Sequence, residues 1–537
     1  MTVDVASRFL ETARRRGDGI ALIRGADAVS FGTLARDVDR LAAGFRRAGL
    51  KPGDRAALLV SPSRDFFAVT FALFRLGAVP VLIDPGIGFR NMGRCLDDAQ
   101  PVAFIGSPRA HLARALGRWA PGARLSVVAD GSIPGMWNTS ELRGLGARDG
   151  FVPAALDFVS PAAILFTSGG TGAPKGAVYT QGVFSAQIDM LREMFDIKEG
   201  EVSLPTFPLF ALFDAALGMT AVLPDMDFTR PGFVDPAKIV APLQKYRVRQ
   251  LFGSPALLDR VGRYGERHGL ALPDLRRVMS AGAPVTARTI GRFLKMLDPG
   301  VEVFTPYGAT ESLPVAVIGS SEIMNETAAL AAGGRGVCIG RPTSGMDVAV
   351  IRNTEETIPE WADALRVRPG EVGEIVVKGP VVTREYFRRP EADAAAKIAD
   401  GTAVRHRMGD LGYFDERGRL WFCGRKAHRV KINNAELYTI PVEGVFNSHP
   451  AVKRTALVGV DGKPVLCVEL EPGIKIDREE LTRELLSLGA RHWQTDSVKT
   501  ILYHPSFPVD TRHNAKIFRD KLAAWAKTEL GGRCAPS

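Results

Sequence analysis

The sequence predicts an α/β protein with a large N-terminal body followed by a smaller α+β unit. Three observations carry that expectation. The chain has 537 residues, beyond the size at which a single hydrophobic core keeps growing, so two or more domains are expected. Up to about residue 350, short apolar runs of strand type alternate with amphipathic or apolar runs of helix type, the rhythm of a buried parallel sheet. After a charged, Pro-containing stretch at 355–373, the pattern turns to short β-type runs and then to a compact mixture of strands and helices.

Residues 30–49 read as an amphipathic helix. Ser30 is its N-cap, Leu34, Val38, Leu41, Ala42 and Phe45 share one face, and Gly49 ends it. Residues 56–60, 66–76 and 79–83 then read as strand, helix and strand. The apolar run Ala162 to Phe166 is a further strand leading into a Gly-rich segment. Residues 374–378 and 420–423 are short strands, and the polar run Arg425-Lys-Ala-His-Arg429 separates the latter from the next apolar pattern. The expected domains are therefore 1–424 and 425–537.

Composition sets limits on function. The chain is 46% hydrophobic and 24% charged, with a mean hydropathy near zero, which is the profile of a globular protein. The net charge is +10, but the charge is spread, and Arg14 to Arg16 is the longest pure basic run, so a nucleic-acid partner is not expected. The five cysteines are odd in number and widely spaced, with no C-x-x-C. They fit neither a disulfide framework nor a zinc site, and point to a reducing cytoplasmic setting. The apolar stretches 66–83 and 209–223 are broken by Arg75, Pro80 and Asp214, so no transmembrane segment is expected.

The sharpest chemical signal is Thr167-Ser-Gly-Gly-Thr-Gly-Ala-Pro-Lys-Gly176. Glycines let the backbone approach a polyphosphate, hydroxyls and amides donate to its oxygens, and Lys175 adds positive charge. The spacing is that of neither a Walker P-loop nor a Rossmann fingerprint.

This segment resembles the phosphate-binding signature of the adenylate-forming superfamily of acyl-CoA synthetases, luciferases and adenylation domains. Ser30-Phe-Gly-Thr-Leu34, Gly49-Leu-Lys-Pro-Gly-Asp54, Asp84-Pro-Gly86, Ser280-Ala-Gly-Ala-Pro284, Tyr307-Gly-Ala-Thr-Glu-Ser312, Gly373-Glu-Ile375, Gly409-Asp-Leu-Gly412, Gly424-Arg425 and Lys516 follow in the superfamily's order. The resemblance implies a large multi-subdomain α/β domain of the adenylate-forming type, a small mobile α+β domain, and ATP with Mg²⁺. By it, Thr167, Ser168, Gly169, Gly170, Thr171, Gly172 and Lys175 hold phosphates. Gly282, Ala283 and Tyr307 hold adenine, with Pro284 and Gly308 completing the nucleotide set. Asp410 takes the ribose with Arg425 beside it. Thr310 contacts phosphate, Glu311 binds Mg²⁺, and Lys516 of the small domain offsets charge as a carboxylate attacks the α-phosphorus.

Several positions depart from the superfamily pattern. Gly170 replaces a hydroxyl residue, Ala211 a His near the acyl site, Ala427 a hinge Asp or Lys, and Ala515 a Gly. The loop Val430-Lys-Ile-Asn-Asn434-Ala-Glu-Leu-Tyr-Thr-Ile-Pro441 is two residues longer than usual, with Asn434 for Gly. These changes disfavour thiol transfer. Together with Arg512-His-Asn-Ala-Lys516, the altered loop is similar to that of the β-lactone-forming branch found in bacterial long-chain olefin biosynthesis. That resemblance implies a long-chain 2-alkyl-3-hydroxy acid as substrate and assembly with a β-lactone decarboxylase and a reductase. A hydroxyl within the substrate would then be the nucleophile, with proximity replacing a second substrate. His428 and His513 are candidate bases for it. The alternatives are a fatty acyl-CoA or acyl-AMP ligase and, in another class, a noncatalytic acyl or nucleotide binder.

Overall fold

The computed structural model describes residues 4–147, 151–167, 173–432, 435–509 and 517–533. Ser168 to Gly172, Asn433, Asn434, Arg512, His513, Ala515 and Lys516 lie outside the described residues.

The predicted helix at 30–49 spans Phe31–Arg47, with the Ser30 hydroxyl accepting the Thr33 N–H at 3.2 Å and Leu34, Val38, Leu41, Ala42 and Phe45 buried. Predicted strand, helix and strand follow as Arg55–Leu59, Arg64–Leu76 and Val79–Ile83. The two strands pair in parallel. They belong to a seven-stranded sheet ordered Trp137–Asn138, Leu125–Val128, Ala103–Gly106, Arg55–Leu59, Val79–Ile83, Pro161–Thr167, Lys175–Thr180. Only its last pair is antiparallel. The Gly-rich segment therefore leaves the carboxyl end of a parallel strand, where α/β sheets bind ligands.

The second sheet has 14 strands and changes character along its width. From Ile20–Arg24 through Thr220–Leu223, Val202–Pro205, Gln250–Gly253 and Arg277–Ser280 to Glu302–Ala309, neighbours are parallel. Beyond Glu302–Ala309, the strands Ser312–Gly319, Val337–Pro342, Leu420–Arg425, Ala403–Phe414, Gly373–Lys378 and Asp347–Ile351 are antiparallel. The expected boundary at 424 falls within the strand Leu420–Arg425.

Past that strand the chain forms a hairpin, Val430–Ile432 with Ala435–Leu437. A three-stranded sheet of Val452–Val460, Lys463–Leu470 and Thr500–Tyr503 follows, with helices Thr439–Asn447, Arg478–Gly489 and Arg519–Arg533. This is the smaller α+β domain. Among the described residues no helix is long and apolar enough to cross a membrane. Cys95, Cys338, Cys423 and Cys467 are buried free thiols.

Candidate active site

Two neighbouring parallel strands deliver the expected adenine residues. Gly282, Ala283 and Pro284 follow Arg277–Ser280, and the adjacent Glu302–Ala309 carries Tyr307 and Gly308. The Tyr307 hydroxyl donates to Asp410 Oδ2 at 2.6 Å. Burial and the Asp410 carboxylate push the phenol's pKa well up, so it stays a donor. Asp410 and Arg425 are register partners on antiparallel strands. That alternation puts both side chains on one face, and Arg425 Nε lies 3.1 Å from Asp410 Oδ1. Arg425 also donates to the Met408 carbonyl at 3.1 Å. Both oxygens of Asp410 thus have protein partners.

Thr310 and Glu311 form the turn between Glu302–Ala309 and Ser312–Gly319. Three side chains from other elements grip it. Tyr179 donates to the Thr310 carbonyl at 2.6 Å, and Tyr386 donates to Glu311 Oε1 at 2.7 Å. Thr383 reaches the Glu311 carbonyl with its N–H at 2.8 Å and its hydroxyl at 3.2 Å. Lys175, which opens the strand Lys175–Thr180, lies with Nζ 5.2 Å from the Tyr386 ring centroid. Lys175 and the Glu311 turn come from different sheets, and Tyr386 touches both. Of Thr167 only the backbone is described, in register with Lys175.

The segment around Tyr386 escaped the sequence reading. It stitches the two sheets through isolated bridges, Ala177 with Tyr386 and Ser312 with Val382. Lys397 donates to the Thr383 carbonyl at 2.6 Å and to its hydroxyl at 3.2 Å. Burial lowers the Lys397 pKa to about 8 against the opposing pull of Glu311 and Asp393. His406, the register partner of Lys397, is buried, and its pKa lies well below the usual value, first through burial and then through Lys397. The available signal was a run of ionisable residues, Arg405-His406-Arg407, inside a strand.

A wall of rings leads away from this centre. Tyr179 lies 4.8 Å from Phe184, Phe184 6.1 Å from Phe213, Phe213 6.2 Å from Phe210, and Phe210 4.3 Å from Phe252, centroid to centroid. Phe207, Phe210 and Phe213 flank or lie on the helix Pro208–Leu217, where Ala211 is fully buried. Their spacing of three residues places them along one side of the helix, a signal present in the sequence.

Among the described residues, no group of three or more His, Cys, Asp or Glu is arranged to hold a metal ion. One carboxylate at Glu311 fits Mg²⁺, which takes most of its ligands from substrate phosphates and water, and does not fit a metal needing an all-protein cage. Of the two candidate bases, His428 has its pKa lowered to about 4 by burial and by Arg519 and Arg425, and His513 lies outside the described residues.

The chain is 48% identical to an olefin beta-lactone synthetase of Stenotrophomonas maltophilia, covering 99% of both chains. It is 46% identical to one of Xanthomonas campestris pv. campestris, covering 97% of both. Among solved structures, an amide bond synthetase from Marinactinospora thermotolerans shares the fold with a TM-score of 0.81 at 22% identity, over 97% of this chain and 99% of that one. The o-succinylbenzoate CoA synthetase of Bacillus subtilis aligns with a TM-score of 0.76 at 21% identity, over 96% and 97% of the two chains. The AMP-binding enzyme family matches residues 9–387, a span that takes in the Gly-rich segment, the Tyr307 strand, the Glu311 turn and the Tyr386 stitch, and the chain belongs to that family.

Proposed function

We propose that this enzyme activates a long-chain 2-alkyl-3-hydroxy fatty acid with ATP and closes the resulting acyl-AMP to a β-lactone. The observation that carries the reading is near-full-length identity of 48% and 46% to two olefin beta-lactone synthetases. The cluster of Phe184, Phe213, Phe210 and Phe252 supports it as an apolar surface joined through Tyr179 to Thr310.

In the first step the substrate carboxylate attacks the α-phosphorus of ATP, and pyrophosphate leaves. Residues 167–172 and Lys175 cradle the phosphates. Tyr307 with Gly282, Ala283, Pro284 and Gly308 seats the adenine, and Asp410 with Arg425 orients the ribose. Thr310 faces phosphate, and Lys516 offsets the charge that accumulates as two anionic groups approach. Glu311 would hold Mg²⁺, which neutralises phosphate charge when bound. In the second step the 3-hydroxyl oxygen forms a bond to the acyl carbon, the bond to AMP breaks, and the hydroxyl proton leaves to a base. Residues 1–424 serve as the ATP- and acyl-binding domain, and 425–537 as the domain that brings in Lys516. The lactone is a substrate for a decarboxylase that yields the olefin, and that decarboxylase and a reductase are the expected assembly partners.

Mass spectrometry of the products tests this reading. With a 2-alkyl-3-hydroxy acid, ATP and Mg²⁺, the enzyme releases AMP, pyrophosphate and a product lighter than the acid by one water, without CoA. A matched acid lacking the 3-hydroxyl stops at bound acyl-AMP or turns over slowly by hydrolysis. A CoA thioester formed with faster AMP release would overturn the lactone and establish the acyl-CoA ligase alternative.

A further inference from the structure

Lys397 is half-buried, and its ammonium is bonded within the protein. Withdrawing a cation from water costs several kcal/mol unless well-placed partners offset it, and an apolar side chain of similar volume often stabilises a fold better. Its nitrogen is committed to Thr383, bonding to the carbonyl at 2.6 Å and the hydroxyl at 3.2 Å. The same Thr383 hydroxyl donates onward to the Glu311 carbonyl at 3.2 Å, beside the Thr383 N–H at 2.8 Å. A hydroxyl that accepts from an ammonium and donates to a carbonyl is fixed in both roles.

Three residues further on, Tyr386 holds the other end of Glu311, donating to Oε1 at 2.7 Å. Its own N–H is tied to Asp393 Oδ1 at 2.7 Å, and Lys397 Nζ lies 5.3 Å from its ring centroid, within cation–π range. Thus one ammonium anchors the residue that holds the Glu311 backbone and rests beside the ring that holds its carboxylate. Across the strand pair, the register partner of Lys397 is the buried His406, and the carboxylates that attract Lys397 are Glu311 and Asp393.

We infer that Lys397 is a positioning residue for the reaction: through Thr383 and Tyr386 it fixes the direction of the Glu311 carboxylate. The inference rests on the reading that Glu311 serves adenylate formation. It does not require Lys397 to touch substrate, since its observed bonds go to Thr383.

The test compares the wild-type protein with Lys397→Met, Lys397→Arg, Thr383→Val, Tyr386→Phe and Glu311→Gln. Acid-dependent pyrophosphate release gives kcat and KM. Calorimetric binding of a non-hydrolysable α,β-methylene ATP analogue over a range of Mg²⁺ concentrations gives a readout independent of turnover. Thermal melting reports folding. Lys397→Met is expected to lower kcat about tenfold or more, with KM for the acid within about twofold, and to raise severalfold the Mg²⁺ needed for half-maximal analogue binding. Tyr386→Phe shifts the Mg²⁺ dependence in the same direction, the Lys397→Met/Tyr386→Phe double variant falls short of the product of the two single effects, and Lys397→Arg recovers most of the loss. Should Lys397→Met fail to fold, Thr383→Val reads the same link, and a wild-type Mg²⁺ dependence in it overturns the inference. A Lys397→Met protein that only melts lower, with kcat and Mg²⁺ dependence unchanged, overturns it as well. If Glu311→Gln itself keeps wild-type pyrophosphate release and Mg²⁺ dependence, it is the role assigned to Glu311 that fails.

Discussion

Asp214 shows how a single side chain can carry an ionisation cost away from the chemistry. It lies on the helix Pro208–Leu217 and is buried, with a 3% exposed surface. Burial raises its pKa to about 8 against the pull of a Ser203 hydrogen bond. In the native state at pH 7 the carboxyl is therefore mostly protonated, whereas in the unfolded chain it ionises near pH 4. A group raised on folding contributes stability that is complete below its unfolded pKa and is lost as pH rises through the folded one. Asp214→Asn keeps the shape without the ionisation. Its melting temperature should exceed that of the wild type by a margin that grows from about pH 4 to about pH 8 and then levels. Thermal unfolding across that range checks it, and a constant margin would show that Asp214 does not ionise on unfolding.

Between elements, a close approach is made at the crossing of the helices Phe31–Arg47 and Thr139–Gly146. A Cβ on Gly44 would lie 2.2 Å from the Leu142 carbonyl oxygen, and one on Gly146 would lie 1.9 Å from that of Arg40. Both obstacles are backbone, so they cannot rotate away. Gly44→Val or Gly146→Val should destabilise the protein by about 1–3 kcal/mol or more through overpacking, as measured by denaturant unfolding, whereas Gly122→Ala, at a position open to solvent, should not. Neither contact is legible in the sequence, because a glycine read along one helix says nothing about which backbone crosses it. What was legible followed from local rules. The apolar face of Phe31–Arg47, its Ser30 cap and the parallel pair Arg55–Leu59 and Val79–Ile83 each depend on spacing within one element. Tyr307, Asp410 and Arg425 were legible as motif residues, and the structure joins them through the register of two strands. Thr383, Tyr386, Lys397 and His406 were not, because their link to Glu311 exists only once the 382–387 segment bridges both sheets. The aromatic wall differs in kind: within the apolar stretch 209–223, broken by Asp214, and at Phe207 before it, the phenylalanines recur every three residues, but the rings of Phe184 and Phe252 that they meet come from other elements.

At the scale of the molecule, the small domain is seated on the large one by a few specific contacts. Glu471 accepts from Arg263 at 3.2 Å and Arg288 at 2.8 Å, Arg429 reaches Glu355 at 2.8 Å, and Gln494 donates to the Gly334 carbonyl at 3.3 Å. The helix Thr439–Asn447 packs on residues 331–335 so closely that a Cβ on Gly444 would sit 2.6 Å from the Ala331 carbonyl oxygen. Gly444→Val should lift this helix at a cost of about 1–3 kcal/mol and loosen the small domain. Limited proteolysis should then cut the 426–429 stretch faster than in the wild type, and an unchanged cleavage rate would show that the seat tolerates the added volume. The large sheet carries a consequence of another kind. Ile20–Arg24, near the start of the chain, pairs with Thr220–Leu223, and the antiparallel half of the same sheet is completed only by Leu420–Arg425. At a synthesis rate of about 5–20 residues per second, the first of these strands waits about 10–40 s on the ribosome for its parallel neighbour. During that interval Phe9, Leu22 and Leu34, all buried in the finished protein, have only the neighbouring strand Asp27–Ser30 and nearby helices for company, so a chaperone that holds this segment guards it until Thr220–Leu223 arrives.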